Sequence, residues 1–420
     1  MEKLRKILQF YINKRFLYNL ILLSILFFCH CFWGGMMYVA FPILGLMVGL
    51  DKLENRISYI FFSLPFCFLN VYISPILFIV CVLVYIVKFY IIYFFIEKNS
   101  PNLTLIITLL AFLLYCVLPI GPLNQNALIK ICGCLAIFIA FNMISEKQSV
   151  FRGHFNIKLV CLSLIMAGMF SLTYYFSPYL QNYMQLVFID DNIPRFMALF
   201  VHPNVLAMFC EILLALLAYF IVSKKFDRFD IILFTLIAIM GFLTFSKTYL
   251  LILGIILIVL LIWSFKNYFK TTSIIFSCLV ILTILFSFTF PSIIESYINR
   301  FIGNANDCNS FADVLNMLTT DRYSLWVEYL TYIFKNPLVL FFGKGFGASA
   351  LSTISAHNGY ISLIYQLGLV GIILLGLNLF LIFKRIILSN NKKINWAILI
   401  PIITIMLIFM VEDLIFYIFD

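Results

Sequence analysis

The stretch AHNGYISLIYQLGLVG, residues 356–371, sets a polar pair, His357 and Asn358, at the edge of an otherwise apolar run. The chain has 4 histidines. An imidazole beside a helix amino end meets the positive end of the helix dipole, which disfavours its cationic form. Such a histidine is suited to take a proton from a substrate. Asn358 offers amide donors and a carbonyl acceptor for a sugar hydroxyl, and asparagine is equally a favoured helix cap. Gly368 and Gly371 follow, three apart, and are expected on one face of the helix, where small residues let membrane helices pack closely.

A second polar group has the same character. His202-Pro203-Asn204 ends the segment FIDDNIPRFMALFVHPN, which also carries Arg195. Proline suits a first helical position, because its missing N–H has no partner there. His202 is therefore expected at another helix mouth. Lys247, in Ser246-Lys247-Thr248, sits between two apolar runs, where an isolated cation is costly unless it lies at the membrane edge or meets an anion. Two histidines at helix mouths, with arginines in the same two loops, describe a site for an anion and a hydroxyl. The competing use of these arginines is pairing with Asp190, Asp191, Asp307 or Asp321, or contact with lipid phosphates; exposed ion pairs of that kind contribute little.

Other patterns carry less. A zinc site built on two histidines needs a third ligand at a sensible spacing, and the sequence offers none. GKGFG, residues 343–347, lacks the Ser or Thr after the lysine and the spacing of a phosphate-binding loop; a tight, flexible loop beside His357 is the better reading. Of the 11 cysteines, only Cys308 falls in a long polar loop. The others, including Cys132 and Cys134 and the pair around His30, read as small buried hydrophobes. Glu211 and Glu412 are acids within apolar runs and receive no role.

The elements that must position these residues are membrane helices. The chain has 420 residues, 64% of them hydrophobic and 11% charged, whereas a soluble domain is roughly 45–50% apolar and about 25% charged. Only helices and closed barrels satisfy their backbone in lipid, and the apolar runs are long rather than alternating. Runs at 17–33, 36–50, 57–71, 75–96, 103–120, 128–144, 159–177, 204–223, 231–245, 249–265, 273–291, 358–383 and 394–411 predict an all-α, polytopic integral membrane protein, one domain over 1–420, with about 12–13 spans of about 20 residues. The basic amino end followed by a bulky apolar stretch is read as an uncleaved first helix.

Alternation then gives sides. With the amino end cytoplasmic, most of the 28 Lys and Arg fall in the inner loops 1–16, 51–56, 97–102, 145–158, 224–230, 266–272 and 384–393, as the positive-inside rule requires. That bias, not nucleic-acid binding, accounts for the net charge of +10. It puts a smaller loop, 178–203, and a large polar one, 292–357, outside. Arg195, Lys247, Arg300, Arg322, Lys335 and Lys344 fall on that side against the bias, which points to something anionic there.

These residues together resemble the O-antigen polymerase and ligase superfamily of bacterial envelope polysaccharide synthesis. The ligase signature is His-Asn, nine residues and Gly-x-x-Gly, matched by His357-Asn358 and Gly368–Gly371. RYSLWVEYLTYIFKNPLVLFFGKGFG resembles the family's upstream run through Arg322, Trp326, Asn336-Pro337 and Gly343–Gly347. RFMALFVHPN resembles a segment more typical of the polymerases. Lys247 departs from the arginine that many members carry after the serine, and a lysine lacks the two-pronged grip on phosphate.

The resemblance implies a metal-independent, inverting glycosyltransferase without a cofactor, multi-pass in the bacterial inner membrane. Its donor would be an undecaprenyl-diphosphate-linked oligosaccharide drawn from the lipid bilayer. Arg195 and Arg322, with Lys247, would hold the diphosphate. His202, Asn204 and Asn358 would meet the glycan, and His357 would act as general base. A polymerase of O-antigen or capsular repeat units is the first reading, working with a flippase and a chain-length regulator. A ligase passing polymer to the lipid A core is the second, and a lipid-linked glycan transporter the third.

Overall fold

The computed structural model describes residues 2–68, 74–101, 103–121, 131–136, 138–139, 143, 153–183, 186–190, 193–200, 202–223, 225–267, 310–319, 322–345, 351, 356–389 and 396–411. Asp191, Arg300, Asp307, Cys308, Asp321 and Glu412, the expected span 273–291 and most of 128–144 lie outside them.

The chain is an all-α, polytopic membrane protein, with one small β-hairpin among the described residues. The helices are α1 (Glu2–His30), α2 (Met37–Leu50), α3 (Leu53–Ser63), α4 (Ser74–Ile91), α5 (Leu103–Val117), α6 (Gly153–Ser171) and the short α7 (Pro178–Tyr183). Strands β1 (Val187–Asp190) and β2 (Ile193–Phe196) follow. Then come α8 (Pro203–Val222), α9 (Arg228–Phe242), α10 (Lys247–Asn267), α11 (Phe311–Thr319), α12 (Arg322–Lys335), α13 (Pro337–Phe342), α14 (Gly359–Ser389) and α15 (Leu399–Val411). Among the described residues five helices are long and apolar enough to cross a membrane, and three shorter apolar ones accompany them.

Several boundaries differ from the apolar runs. α1 starts at Glu2 rather than near residue 17, and α6 starts at Gly153 rather than 159, because helical hydrogen bonding continues past the edge of the hydrophobic stretch. The run at 57–71 is α-helical only to Ser63 and tightens into a 3-10 turn at Leu64–Phe68, where Pro65 withdraws a backbone donor. The smaller loop holds the hairpin, which departs from the purely helical expectation. Val187 pairs with Phe196 and Asp190 with Ile193, antiparallel. Pro194 is tolerated because a two-stranded ribbon has a free edge.

α8 is the central helix. Of its span, 72% is buried, against 17% for α10, which therefore faces lipid. α8 packs between α9 and α15, burying Leu206, Cys210, Leu214, Leu217 and Ala218 completely. Cys31, Cys67, Cys81, Cys134, Cys161 and Cys210 are buried free thiols packed as small hydrophobes.

At the end where α6 and α9 begin, charge fixes the bundle. Asp227 and Asp230 form a reciprocal capping box on α9. Lys158 of α6 reaches Asp227 at 2.6 Å and Asp230 at 3.3 Å, and His154 Nε2 lies 2.9 Å from Asp230. The hydrogen bond from Lys158 is the main reason the Asp227 carboxyl falls from 3.8 to about 2. A carboxyl depressed in the folded state stabilises above its unfolded pKa and loses that contribution as pH falls through the folded value. Asp227→Ala is expected to lower the unfolding temperature at neutral pH. The gap from wild type should close as pH drops from about 3.8 through about 2; a gap that stays constant across that range would refute the linkage.

Candidate functional site

Two groups of residues carry the site. The first is built around the start of α14. Asn358 is its cap: the side-chain Oδ1 accepts from the N–H of Tyr360 and of Ile361, each at 3.1 Å. The amide nitrogen of Asn358 donates to the carbonyl of Met410 at 2.8 Å, and Tyr360 Oη donates to Met406 O at 3.1 Å, tying α14 to the last turns of α15. Asn358 is thus occupied with protein partners on both sides of its amide. Its place in the chain sets the direction of His357.

His357 precedes that cap, half-buried, with φ +45°. A side chain other than glycine is uncommon in this left-handed region and is held there only by its surroundings. The surroundings are explicit. Before His357, the indole Nε1 of Trp326 on α12 donates to Ala356 O at 2.9 Å; after it, Asn358 is fixed by three hydrogen bonds. Arg322 opens α12 one turn before Trp326 and is half-buried. A cation at a helix amino end opposes the dipole, so helix stability does not account for this arginine.

The glycine pair below His357 works differently from the sequence expectation. Gly368 does not lie on a continuous helical face. It has φ +64° and ψ −179°, and α14 is kinked there, in a region open essentially to glycine alone. The kink interrupts the helical ladder and leaves carbonyls to be satisfied. Lys344 N–H donates to Tyr365 O and Gly345 N–H to Gln366 O, both at 2.8 Å. The approach is close enough that a Cβ on Gly368 would stand 2.5 Å from the Phe341 carbonyl and from Phe342 N. Gly343, φ +74°, meets the Gln366 backbone the same way from the other side. Ile120 N and Gly121 N donate to Gly343 O and Lys344 O at 3.2 and 3.0 Å. Residues 343–345 are therefore a pinned strap between α5 and α14, not a loose loop; Phe346 and Gly347 lie outside the described residues. Lys344 extends over the Tyr332 ring, 5.7 Å from its centroid, and the hydrogen bond with Tyr332 raises its pKa, keeping it cationic.

The second group joins β2, α8 and the α9–α10 turn. His202 is the cap of α8: its Nδ1 accepts from Asn204 N–H at 3.2 Å, with Pro203 at the first helical position. Arg195 is 3% exposed. Its Nε donates to Thr244 O at 2.9 Å and its Nη2 to Asn204 Oδ1 at 2.6 Å, so the guanidinium acts as a strut between three elements. Ser246 precedes α10, and its hydroxyl accepts from Tyr249 N–H and lies 2.9 Å from Thr248 Oγ1. Lys247 is the first residue of α10 and is half-buried. Arg195, His202, Asn204 and Lys247 are thereby brought to one end of the bundle. A link to the first group runs through α15, which packs on α8 and receives the hydrogen bonds of Asn358 and Tyr360.

Sequence reasoning missed three parts of this arrangement: the Thr244 carbonyl, the Met410 carbonyl and the strap contact at Gly368. Backbone acceptors leave no residue-type signal. A left-handed glycine in an apolar run looks like a packing glycine until its φ is known. Among the described residues no three His, Cys, Asp or Glu side chains converge as a metal site. Glu211 is buried within α8.

Comparison with known proteins gives one finding. Residues 231–376 match the model of a family described as O-antigen ligase. The matched stretch runs from α9 through Gly371 and holds Lys247, Arg322, His357 and Asn358; Arg195, His202 and Asn204 precede it. No curated protein and no solved structure matches the chain.

Two tests follow from the geometry. Gly368→Ala forces a Cβ into the α13 backbone and a non-glycine residue into a glycine-only conformation, a cost of order 1–3 kcal/mol for the conformation alone. Its thermal unfolding midpoint should fall clearly below that of Gly376→Ala, a position with nothing within 4 Å; equal midpoints would remove the crossing from the account. At His202 the cap and any chemistry separate. His202→Asn retains a capping side chain and should keep wild-type thermal stability. His202→Ala should lose about 0.5–2 kcal/mol, read by denaturant unfolding in detergent.

Proposed function

We propose, from the match of residues 231–376 to the O-antigen ligase family model, that the chain polymerises lipid-linked oligosaccharide repeats at the outer face of the bacterial inner membrane, with its amino end cytoplasmic. The observation that carries the reading is His357, held in a left-handed backbone conformation between the Trp326–Ala356 hydrogen bond and the Asn358 cap. Backbone strain of this kind persists where the surroundings over-determine it and is concentrated at functional sites.

In the proposed reaction the donor is a growing glycan on undecaprenyl diphosphate, and the acceptor is a hydroxyl of the next lipid-linked repeat. His357 takes the hydroxyl proton as the oxygen attacks the anomeric carbon. The bond from that carbon to the diphosphate oxygen breaks, its electrons remain on the diphosphate, and the single displacement inverts the centre. Arg322 and Lys247 meet the charge that builds on the leaving group, an interaction stronger in the transition state than in the ground state. Arg195 positions rather than binds: it fixes Asn204 and the Thr244 turn from which Lys247 projects. His202 and Asn204 line the glycan path, and Asn358 orients His357. A flippase that delivers repeats and a chain-length regulator are the partners this reaction calls for.

A ligase reading is favoured by one observation: the matched family is described as O-antigen ligase, and the HPN segment lies outside the matched residues. In that case the acceptor hydroxyl belongs to the lipid A core and the same His357 serves.

The test is complementation of a strain lacking the gene, with wild type and His357→Ala, reading envelope polysaccharide on a gel and protein in the membrane fraction. Removal of a general base is expected to slow transfer by about 10²–10⁴-fold. The proposed reading expects His357→Ala to reach the membrane and to leave single repeats on the core in place of a ladder. Polymer retained on the lipid carrier, with no repeat on the core, would identify the ligase reaction. A normal ladder would remove His357 from the mechanism.

A further inference from the structure

The segment expected as a polar outer loop contains an apolar face that no other described residue covers. α12 and α13 bury one side: Tyr329, Ile333 and Val339 pack against Ile361 and Tyr365 at the start of α14. Their other side is also apolar. Val327 is 46% exposed, Phe334 67%, Leu338 63% and Phe341 49%. Val327 and Phe334 lie about two turns apart on α12, and Leu338 and Phe341 about one turn apart on α13. The exposed strip is graded along its length. Ser324 and Glu328 occupy its Arg322 end, while Phe334, Leu338 and Phe341 occupy the other.

We propose that the α12–α13 face is embedded in the lipid leaflet at this end of the bundle, with phospholipid acyl chains as its occupant. Three observations select lipid. First, the face is tied by the strap to apolar helices that carry exposed apolar side chains. α13 leads into the strap at Gly343–Gly345, which is hydrogen-bonded to Ile120, 48% exposed, just beyond α5, and to α14, whose Ile373 is 68% exposed. Second, an exposed lysine, Lys335, stands beside Phe334 in the last turn of α12, where its stem can lie along apolar surface while its ammonium reaches the headgroup phosphates. Third, the polar-to-apolar gradient is that of an element lying in the interface and dipping at one end. Uncovered, so large a patch would be an aggregation hazard in water.

The consequence for the site is a fixed depth. Trp326 of α12 bonds the carbonyl next to His357, and the strap ties α13 to the helix that His357 precedes. His357 therefore stands at headgroup level, where a diphosphate attached to a membrane lipid resides. The embedding itself does not depend on the proposed reaction.

The test incorporates a photo-reactive benzoylphenylalanine separately at positions 334, 338 and 341 of the full chain in native membranes, with position 328 as the polar control. After irradiation the purified protein is analysed by mass spectrometry. Phospholipid adducts at 334, 338 and 341, at least tenfold above position 328, are expected. Cross-links to another protein or to a distant part of this chain would overturn the proposal and identify a protein occupant. Absence of lipid adducts at all three positions, as at 328, would also overturn it and leave the face in water.

Discussion

Where α14 meets the strap at residues 343–345, two backbones touch, and each must be glycine at the contact. Gly368 admits the Phe341 carbonyl and Gly343 admits Gln366. The carbonyls that the kink takes out of the α14 ladder are recovered by Lys344 and Gly345 N–H. The rest of the candidate site depends on this exchange. It clamps α13 to α14, and α12 follows, so that Trp326 reaches Ala356 and holds the left-handed backbone at His357. The same strap hydrogen-bonds Ile120 and Gly121, just beyond α5, joining α14 to a different part of the bundle.

The second group is fixed by a buried cation rather than by glycine. Arg195 has a planar fork that serves Thr244 O and Asn204 Oδ1 together, which a lysine's single ammonium could not reproduce. Burying a guanidinium is costly unless its donors are satisfied, and here the acceptors come from two helix termini that must meet for the site to exist. The charge is thus used to bring together segments distant in sequence. His202 shows the same economy: an imidazole at a helix mouth accepts from Asn204, the first N–H that α8 offers because Pro203 has none.

Much of the architecture was legible in the sequence because lipid imposes a simple rule. Long apolar runs must be helices. Pro203 marked the start of α8, and the cations and histidines of the outer segments stood out by residue type. What was not legible depends on backbone conformation and on carbonyl partners. The hairpin is short, and its strand signal is hidden in a stretch containing Pro194. The kink at Gly368 sits in an apolar run whose composition is that of an unbroken span. Asn358 was open between a cap and a glycan contact, and its cap hydrogen bonds emerge only with the geometry. The apolar side of α12 and α13 was concealed because Glu328, Lys335 and Asn336 lower the hydrophobicity of the segment as a whole.

In the proposed reaction this end of the bundle transfers a glycan between two membrane-borne lipids. The most direct measurement reconstitutes the purified protein in liposomes with a lipid-linked repeat as the sole substrate and follows product length by mass spectrometry. The account predicts that repeats join into polymer still attached to the diphosphate carrier, with one carrier released per linkage. Unchanged single repeats, consumed only once lipid A core is supplied, would contradict polymerisation and leave transfer to the core as the reaction.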